Sequence, residues 1–259
     1  MVKNRLFTLG CSHTQHQWPS WSDFIGYFFN EYYNYGSQGS GNGYIHTMLF
    51  EIDEKYKLTK DDTVLIMLSD ENRGDFITPT KWTAAGNIYA PNNLENYGER
   101  FVKDIWSPAH GLNNTWVVCK SIHHFLTNKG CNFKIFKAFP DFEESHLWNE
   151  DRDYQLGVGR KLQYTTGKSL YHYENLDVPR YEFYIDGELR LDGHLRLEEH
   201  LEWVKNEASE YYDEQMEELL EEWEPIVLNK KMLHSDWEFL FKDTHKGPII
   251  FGEEITKEW

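Results

Sequence analysis

Short apolar runs alternate along this chain with amphipathic stretches, and this alternation constrains the fold more than any other feature. Residues 6–9 and 63–68 are apolar runs of strand length, as expected for buried strands of a parallel sheet. Stretches with helical spacing separate these runs. Because alternating β and α units build a parallel sheet covered by helices, the sequence predicts an α/β fold. The specific prediction is a three-layer α/β/α sandwich with a mainly parallel sheet.

Three helices and one further strand are predicted from apolar periodicity and from helix and strand breakers. They cover residues 21–29, 115–126 and 197–225 for the helices and 132–139 for the strand. Ser20 or Ser22 can cap the first of these helices. The last helix has a very acidic exposed face, which is usually a solvated one but which also suits contact with a partner.

The composition narrows the classes of partner and compartment. The formal net charge of −17 disfavours nucleic acid or an anionic membrane surface as partner, since proteins bind both through clustered Lys and Arg. The three cysteines are odd in number and widely spaced, which predicts no disulfide framework and a reducing compartment. The first residues lack the pattern of a signal peptide, and no window resembles an apolar membrane span. Cytoplasmic localisation is therefore expected.

The stretch Phe-Thr-Leu-Gly-Cys-Ser-His-Thr at residues 7–14 carries the strongest functional signal. It places Ser12 after an apolar run and a glycine, as in a turn that exposes a nucleophile at the rim of an α/β sheet. A serine hydroxyl is a weak nucleophile unless a neighbouring base activates it. We therefore hypothesise serine hydrolase chemistry. The simpler interpretation is that Ser12 only caps the first helix.

Four segments occur in the same order as the four sequence blocks of the SGNH (GDSL-type) hydrolases and resemble them, in a variant form similar to those encoded by tailed bacteriophages. The first, second and last blocks are matched directly, and the third is altered. The resemblance covers residues 1–205. The matching residues are Gly10, Cys11 and Ser12 for the Gly-Asp-Ser block, with cysteine in the Asp position; Asn34, Gly36 and Gly39 for the Asn-x-Gly-x-x-Gly block; and Asp192 and His194 for the final Asp and His.

The third block of the family, Gly-x-Asn-Asp, is altered in this chain. After the apolar run at 63–68 the sequence continues Ser-Asp-Glu-Asn-Arg-Gly-Asp. Asn72 lies about one residue later than the family pattern implies. An alternative is that either Asn72 or Arg73 faces the pocket while the other supports the loop. A loop salt bridge between Arg73 and Asp75 is the simpler interpretation of that pair.

The resemblance implies roles for individual residues. Ser12 would be the nucleophile, His194 the general base, and Asp192 the carboxylate that orients the imidazole. The N–H groups of Ser12 and Gly39, together with the Asn72 amide, would form the oxyanion hole. Further candidates for substrate binding are Arg73, His13 and Asn42.

The resemblance also implies an activity and a domain organisation. A serine esterase of this kind hydrolyses a small-molecule or glycan ester through an acyl-enzyme, for example by removing acetate from a host surface polysaccharide. No cofactor and no metal are implied. The α/β domain would span residues 1–205 with an insertion beside the active site over 140–191, followed by an acidic helical extension and tail over 206–259. A phage-encoded protein could be virion-associated.

Several alternatives stay open at this point. An O-acyltransferase would use the same residues with an acceptor other than water. The 16% aromatic content suits a non-catalytic virion or glycan-binding protein on a hydrolase scaffold. His200 is the rival to His194 as general base. A metal site would draw on Cys11, His13 and His16, with His110, His123 and His124 as further ligands.

Overall fold

The computed structural model of the chain describes residues 5–16, 18–77, 82–88, 98–139, 164–185, 188–229 and 245–246. The strands are β1 Arg5–Gly10, β2 Glu31–Gly36, β3 Asp62–Leu68, β4 Arg73–Ile77, β5 Trp82–Asn87, β6 Asn132–Lys137, β7 Glu182–Ile185, β8 Glu188–Leu191 and β9 His245–Lys246. The helices are α1 Trp21–Gly26, α2 Asn42–Tyr56, α3 Glu99–Asp104, α4 Pro108–Lys129, α5 Leu197–Glu207 and α6 Gln215–Asn229. Two 3-10 turns cover Leu170–Tyr173 and Ser209–Tyr211.

Five strands form one parallel sheet in the order β6-β3-β1-β2-β9. Strand β1 lies at its centre, so that Gly10 lies beside Gly36 of β2 and Leu9 beside Ile66 of β3. The carboxyl ends of these strands therefore meet at one edge, where α/β proteins bind ligands. Strand β4 pairs with β5, and β7 with β8, as antiparallel hairpins. The prediction of an α/β fold with a mainly parallel sheet is confirmed.

The side chains of the central strands alternate between two apolar clusters, as the two-residue repeat of a strand requires. Leu65 and Met67 of β3 belong to the first cluster, which includes residues of α1, α5 and α6. Val64 and Ile66 belong to the second cluster, which includes residues of α2 and α4. Full burial of one such side chain contributes about 1.5–3 kcal/mol. These two clusters therefore hold the helices against the sheet.

The helical region near the C-terminus differs from the single helix predicted over residues 197–225. The structure has two helices, α5 and α6, separated by a 3-10 turn, and Pro225 lies inside α6. The prediction was wrong because apolar residues continue through the turn itself, whose Tyr211 is buried in the first cluster. After the turn, α6 returns to α1, and the ring centroids of Trp223 and Phe24 lie 5.0 Å apart.

The sequence patterns do not predict β2 or the hairpin of β4 and β5. Strand β2 reads Glu-Tyr-Tyr-Asn-Tyr-Gly and lacks the aliphatic run that indicates a buried strand. Strand β4 begins in a polar segment that the sequence indicates as a loop. Both become strands because a neighbouring strand pairs with them, which a single segment cannot reveal.

Parts of two predicted segments lie outside the described residues. They are 140–163 and 186–187 of the predicted insertion, and 230–244 and 247–259 of the predicted extension and tail. Within the described part of the insertion, Leu170 is buried in the first cluster. The boundary at residue 205 stays a prediction, although α6 beyond it contributes Met216 and Trp223 to that same cluster. Over the described ranges, no helix combines the length and the apolarity needed to cross a membrane.

The burial of β3 predicts a clear difference between core and surface truncations. Ile66→Ala should lower the free energy of unfolding by about 2–5 kcal/mol, because Ile66 is fully buried and its truncation leaves a cavity. Val117→Ala on α4 should change it by no more than about 0.5 kcal/mol, because Val117 is 50% exposed. Urea unfolding followed by circular dichroism measures both values. Equal effects would contradict the placement of β3 in the core.

Candidate active site

Ser12 lies in the turn that follows β1. The Thr14 N–H donates to the Cys11 carbonyl at 2.9 Å, which closes this turn. A Cβ atom at Gly10 would lie 1.9 Å from Thr14 Oγ1, so the close return of the chain requires glycine. Ser20, and not Ser12, is the N-cap residue of α1, and its N–H donates to the carboxylate of Asp23 at 2.7 Å. The interpretation of Ser12 as a helix cap is therefore wrong.

The carbonyl of Thr14 holds this turn in place. It accepts hydrogen bonds from Ser20 Oγ and Ser22 Oγ, both at 2.7 Å, and from Asn34 Nδ2 at 2.9 Å. Asn34 lies on β2, and its Oδ1 accepts the N–H of Gly36 at 2.9 Å. Donors from three places in the sequence thus converge on one buried carbonyl. The Asn34 side chain therefore serves the scaffold that positions Ser12.

Ser12, His194 and Asp192 form a continuous hydrogen-bonded chain. The Ser12 hydroxyl donates to His194 Nε2 at 2.7 Å, and His194 Nδ1 donates to Asp192 Oδ1 at 2.5 Å. The same carboxylate oxygen accepts the backbone N–H of His194 at 2.7 Å. An ionised carboxylate only accepts hydrogen bonds, so the His194 proton belongs on Nδ1 and Nε2 is left as the acceptor. This is the protonation state in which an imidazole can remove the proton of a serine.

His16 is a fourth member of this group, and the sequence does not identify it as one. Its Nε2 donates to Asp192 Oδ2 at 2.9 Å, and its ring stacks on that of His194 with centroids 3.9 Å apart. Each oxygen of the Asp192 carboxylate therefore accepts a proton from one imidazole. His16 and Asp192 are 176 positions apart, so only the fold brings them together.

The surroundings of Asp192 favour its charged form. Burial alone would raise its pKa, but hydrogen bonds from His16 and His194 outweigh burial and hold the pKa well below its ordinary value. Asp192 is 5% exposed, so this negative charge is shielded from water by the two imidazoles.

The loop that carries His194 is fixed on both sides. The Asp192 N–H donates to the Tyr181 carbonyl at 2.9 Å, and Trp18 Nε1 donates to the Leu195 carbonyl at 3.0 Å. The Trp18 ring also meets the edge of the His16 ring, with centroids 4.4 Å apart. The turn after β1 and the loop before α5 are therefore joined directly. This connection keeps the imidazole of His194 within reach of Ser12.

The rival base, His200, makes no hydrogen bond to the Ser12 hydroxyl, which bonds to His194. His200 lies on α5 and is 2% exposed. Burial, followed by the charges of His194 and His16, lowers the pKa of His200 to about 3. A base this weak is a poor acceptor for a serine proton. The arrangement favours His194 for that role.

The predicted oxyanion residues, Gly39 and Asn72, are both attached to the hairpin of β4 and β5. The Gly39 carbonyl accepts the N–H of Gly86 at 3.1 Å, and the Asn72 carbonyl accepts the N–H of Ile88 at 2.8 Å. Among the described residues, nothing accepts the N–H groups of Ser12 and Gly39. Gly39 has φ of +74°, a conformation that glycine adopts at little cost. The Oδ1 atom of Asn72 is buried and has no hydrogen-bond partner within the described part of the chain.

Asn42, predicted to contact substrate, has its polar atoms engaged by the protein. Its Nδ2 donates to the Ser69 carbonyl at 3.0 Å and to Thr115 Oγ1 at 2.9 Å, and its Oδ1 accepts the Ser69 N–H at 2.8 Å. The amide therefore joins the start of α2 to the end of β3 and to α4. This corrects the prediction, because no donor of the Asn42 amide is left for a substrate.

Arg73 and Asp75 do not form the salt bridge offered as the simpler interpretation. Asp75 instead accepts the N–H groups of Gly41 and Tyr44, both at 2.8 Å, at the start of α2. A carboxylate is stabilised there by the free amides and the helix dipole. The Arg73 guanidinium lies over the ring of Phe139, 5.3 Å from its centroid.

His13 borders the imidazole of His194. Its ring centroid lies 4.7 Å from that of His194 and 5.0 Å from that of Tyr171. Burial, followed by the nearby charges of His194 and Arg73, lowers the pKa of His13 well below its ordinary value. His13 is therefore a neutral imidazole at physiological pH. Together with Tyr171 and Phe139 it forms an aromatic wall beside His194.

A metal ion has one candidate position within the described ranges. His16, Asp192 and His194 each offer a ligand atom there, and these atoms all lie within 4.8 Å of one another. The group differs from the combinations predicted from the sequence, since Cys11 is buried in the first apolar cluster. These side chains also make the hydrogen bonds described above, so a metal ion bound at a hydrogen-bonded nitrogen would displace the proton there.

Comparison with known proteins adds no family assignment, because no protein-family model and no curated protein matches the chain.

The pKa of Asp192 predicts how stability depends on pH. A carboxyl group with a lower pKa in the folded than in the unfolded chain stabilises the fold above its unfolded pKa, about 3.9, and this contribution is lost as the pH falls further. The free energy of unfolding of wild type should therefore fall more steeply below about pH 4 than that of Asp192→Asn. Urea unfolding at several pH values measures the two slopes.

The matched control for this prediction is Asp177→Asn, which changes an exposed carboxylate. Its slope should match that of wild type. If Asp192→Asn also kept the wild-type slope, the hydrogen bonds from His16 and His194 would not be stabilising the charged form of Asp192.

Proposed function

We propose that this chain is a serine esterase that hydrolyses carboxylic esters through an acyl-enzyme. The single observation that carries the proposal is the 2.7 Å hydrogen bond between Ser12 Oγ and His194 Nε2. An imidazole oriented by a carboxylate on its other nitrogen can activate a serine hydroxyl. Asp192 occupies that position, with its oxygen 2.5 Å from His194 Nδ1. The order of the sequence blocks that resemble SGNH hydrolases supports the same assignment.

In the first step, Ser12 Oγ bonds to the ester carbonyl carbon while its proton moves to His194 Nε2. The negative charge of Asp192 stabilises the imidazolium that results. The N–H groups of Ser12 and Gly39 and the side-chain amide of Asn72 would receive the oxyanion. The C–O bond to the alcohol then breaks, and the alcohol leaves with the proton from His194.

In the second step, water takes the place of the alcohol. It adds to the acyl carbon and gives its proton to His194 Nε2. The bond from the carbon to Ser12 Oγ breaks, and the serine recovers its proton from the imidazolium. The acid is released and the enzyme is unchanged. An alcohol in place of water would transfer the acyl group instead, so an O-acyltransferase is an alternative outcome for the same residues.

We also propose that the fold is that of the SGNH hydrolases. The two apolar clusters, one with α1, α5 and α6 and the other with α2 and α4, support a three-layer SGNH-like sandwich. Residues 1–205 would form the hydrolase domain, with 140–191 as an insertion beside the site and 206–259 as an extension and tail. The contact of Tyr171 with His13, at 5.0 Å between ring centroids, supports a role for that insertion at the site.

For substrate, we propose an acyl ester of a carbohydrate, with acetate as the simplest acyl group. The support is the resemblance to a family with many members that deacylate glycans, together with the partly exposed ring of Tyr171, which contacts His13 next to His194 and on which a sugar can stack. Cytoplasmic localisation and virion association stay predictions.

Loss of either catalytic residue should abolish ester hydrolysis. Ser12→Ala and His194→Ala should each lower kcat for p-nitrophenyl acetate by at least about 10³-fold, because the nucleophile and its base act as one unit. A phosphonate ester should add covalently to Ser12, as detected by mass spectrometry. Thr47→Ala is the control, since that hydroxyl is exposed on α2. Wild type without turnover and without an adduct would favour a non-catalytic glycan-binding protein.

A chelator separates this mechanism from metal catalysis at the same residues. Full activity should persist after dialysis against EDTA, because no step of the proposed mechanism uses a metal. Added Zn²⁺ should inhibit, because it competes for the nitrogen atoms of His16 and His194. Loss of activity in EDTA with recovery in Zn²⁺ would contradict the serine mechanism.

His16 is expected to act as a positioning residue through Asp192. His16→Phe keeps a ring against His194 but removes the donor to Asp192 Oδ2, so kcat should fall roughly 10- to 100-fold with little change in KM. His16→Gln, which keeps an N–H donor, should recover part of the lost kcat. Equal losses of kcat in His16→Phe and His16→Gln would indicate a merely structural role.

A further inference from the structure

The guanidinium of Arg73 has no hydrogen-bond or ion-pair partner in the described part of the protein. It makes no hydrogen bond and no ion pair with any described residue, and its Nη1 atom is buried. Arginine carries five N–H donors and a charge that is permanent in proteins. Buried cations are normally paired with an anion or hydrogen-bonded, because removing them from water is costly. This arginine is therefore unusual for a residue with a buried nitrogen.

The carboxylates near Arg73 in the sequence do not pair with it. Asp75 is close enough for its charge to interact with that of Arg73, but its two oxygens accept the N–H groups of Gly41 and Tyr44. On the other side, Asp70 accepts the Asn72 N–H at 2.6 Å, and Glu71 makes no ion pair with Arg73. No carboxylate of the described residues therefore occupies the guanidinium.

Arg73 lies at the far end of an aromatic wall that begins at the catalytic imidazole. His13 is adjacent to His194 and meets the rings of Tyr171 and Phe139 edge-on, at 5.0 and 5.3 Å between centroids. Phe139 and Tyr171 stack on each other at 4.9 Å. The Arg73 guanidinium lies over Phe139. Continuous ring contacts therefore connect the cation to the reacting group.

We infer that this wall binds an ester substrate that carries a carboxylate, with Arg73 receiving the carboxylate and the aromatic rings receiving the body of the substrate. The inference rests on the proposed function and names its substrate class. A guanidinium matches a carboxylate with two parallel N–H bonds, which fixes orientation as well as supplying charge. The chain has a formal net charge of −17, so a free cation beside the site offsets the general repulsion of anions.

Matched pairs of esters test this substrate class. The first pair, 4-acetoxybenzoate and its methyl ester, differs by a charge on the alcohol side. The second pair, mono(4-nitrophenyl) succinate and its methyl ester, differs by a charge on the acyl side. Wild type should have the higher kcat/KM for the charged member of at least one pair. That pair identifies the side of the ester that faces Arg73.

Substitution of Arg73 should remove this preference. In Arg73→Met, the ratio of kcat/KM for the charged over the neutral member should fall roughly 10- to 100-fold, as expected for loss of charged hydrogen bonds. Arg73→Lys should recover only part of the ratio, because lysine keeps the positive charge but cannot donate two parallel N–H bonds to a carboxylate. Arg100→Met makes the same change of net charge at a 97% exposed side chain and should leave the ratio at the wild-type value. An unchanged ratio in Arg73→Met overturns the inference.

A binding measurement keeps the inference testable apart from the esterase proposal. The probes are the charged members of both pairs, 4-acetoxybenzoate and mono(4-nitrophenyl) succinate. Each is titrated into Ser12→Ala and into Ser12→Ala combined with Arg73→Met, with intrinsic tryptophan fluorescence as the signal. The Arg73 substitution should weaken the binding of at least one charged probe at least about 10-fold, and each methyl ester should bind both proteins equally. If wild type hydrolyses no ester but this difference persists, the esterase proposal fails and the anion site stands. If neither protein distinguishes either acid from its methyl ester, the anion site fails.

Discussion

The site depends on one buried carboxylate that is shared by two imidazoles. Asp192 accepts His194 on one oxygen and His16 on the other, and these bonds overcome the cost of burying its charge. They also assign the protons, since each imidazole must present an N–H to the carboxylate. For His194, this leaves Nε2 free to accept the proton of Ser12. The protonation state that serine activation requires therefore follows from the geometry around Asp192.

The fold brings the Asp192 carboxylate and Ser12 to the same edge of the parallel sheet. Strand β1 places Ser12 in the turn just beyond its end, and the Thr14 carbonyl fixes this turn through three side-chain donors. The loop before α5 reaches it through the Trp18 bond to the Leu195 carbonyl. These contacts are made by buried groups, so the fold itself holds Ser12 and His194 together.

The polar residues around the site divide into two kinds. Asn34 and Asn42 have their amides engaged within the protein and act as braces between elements. The N–H groups of Ser12 and Gly39 and the guanidinium of Arg73 have no acceptor among the described residues. Within the described ranges, groups of the second kind are available to bind a ligand. These N–H groups and the guanidinium all attract negative charge. A developing oxyanion or a substrate carboxylate would carry such a charge.

The sequence by itself determined the α/β class, the first strand and the glycine turn that presents Ser12, because apolar runs and breakers act locally. It also singled out Ser12, Asp192 and His194, through the order of short blocks. Only the tertiary structure decided that His16 joins Asp192 and that Asn42 is a brace. Hydrogen-bond partners far apart in the chain leave no periodic signal. The strand state of β2 and the break between α5 and α6 were likewise decided by neighbouring elements, since pairing and burial are properties of the assembled fold.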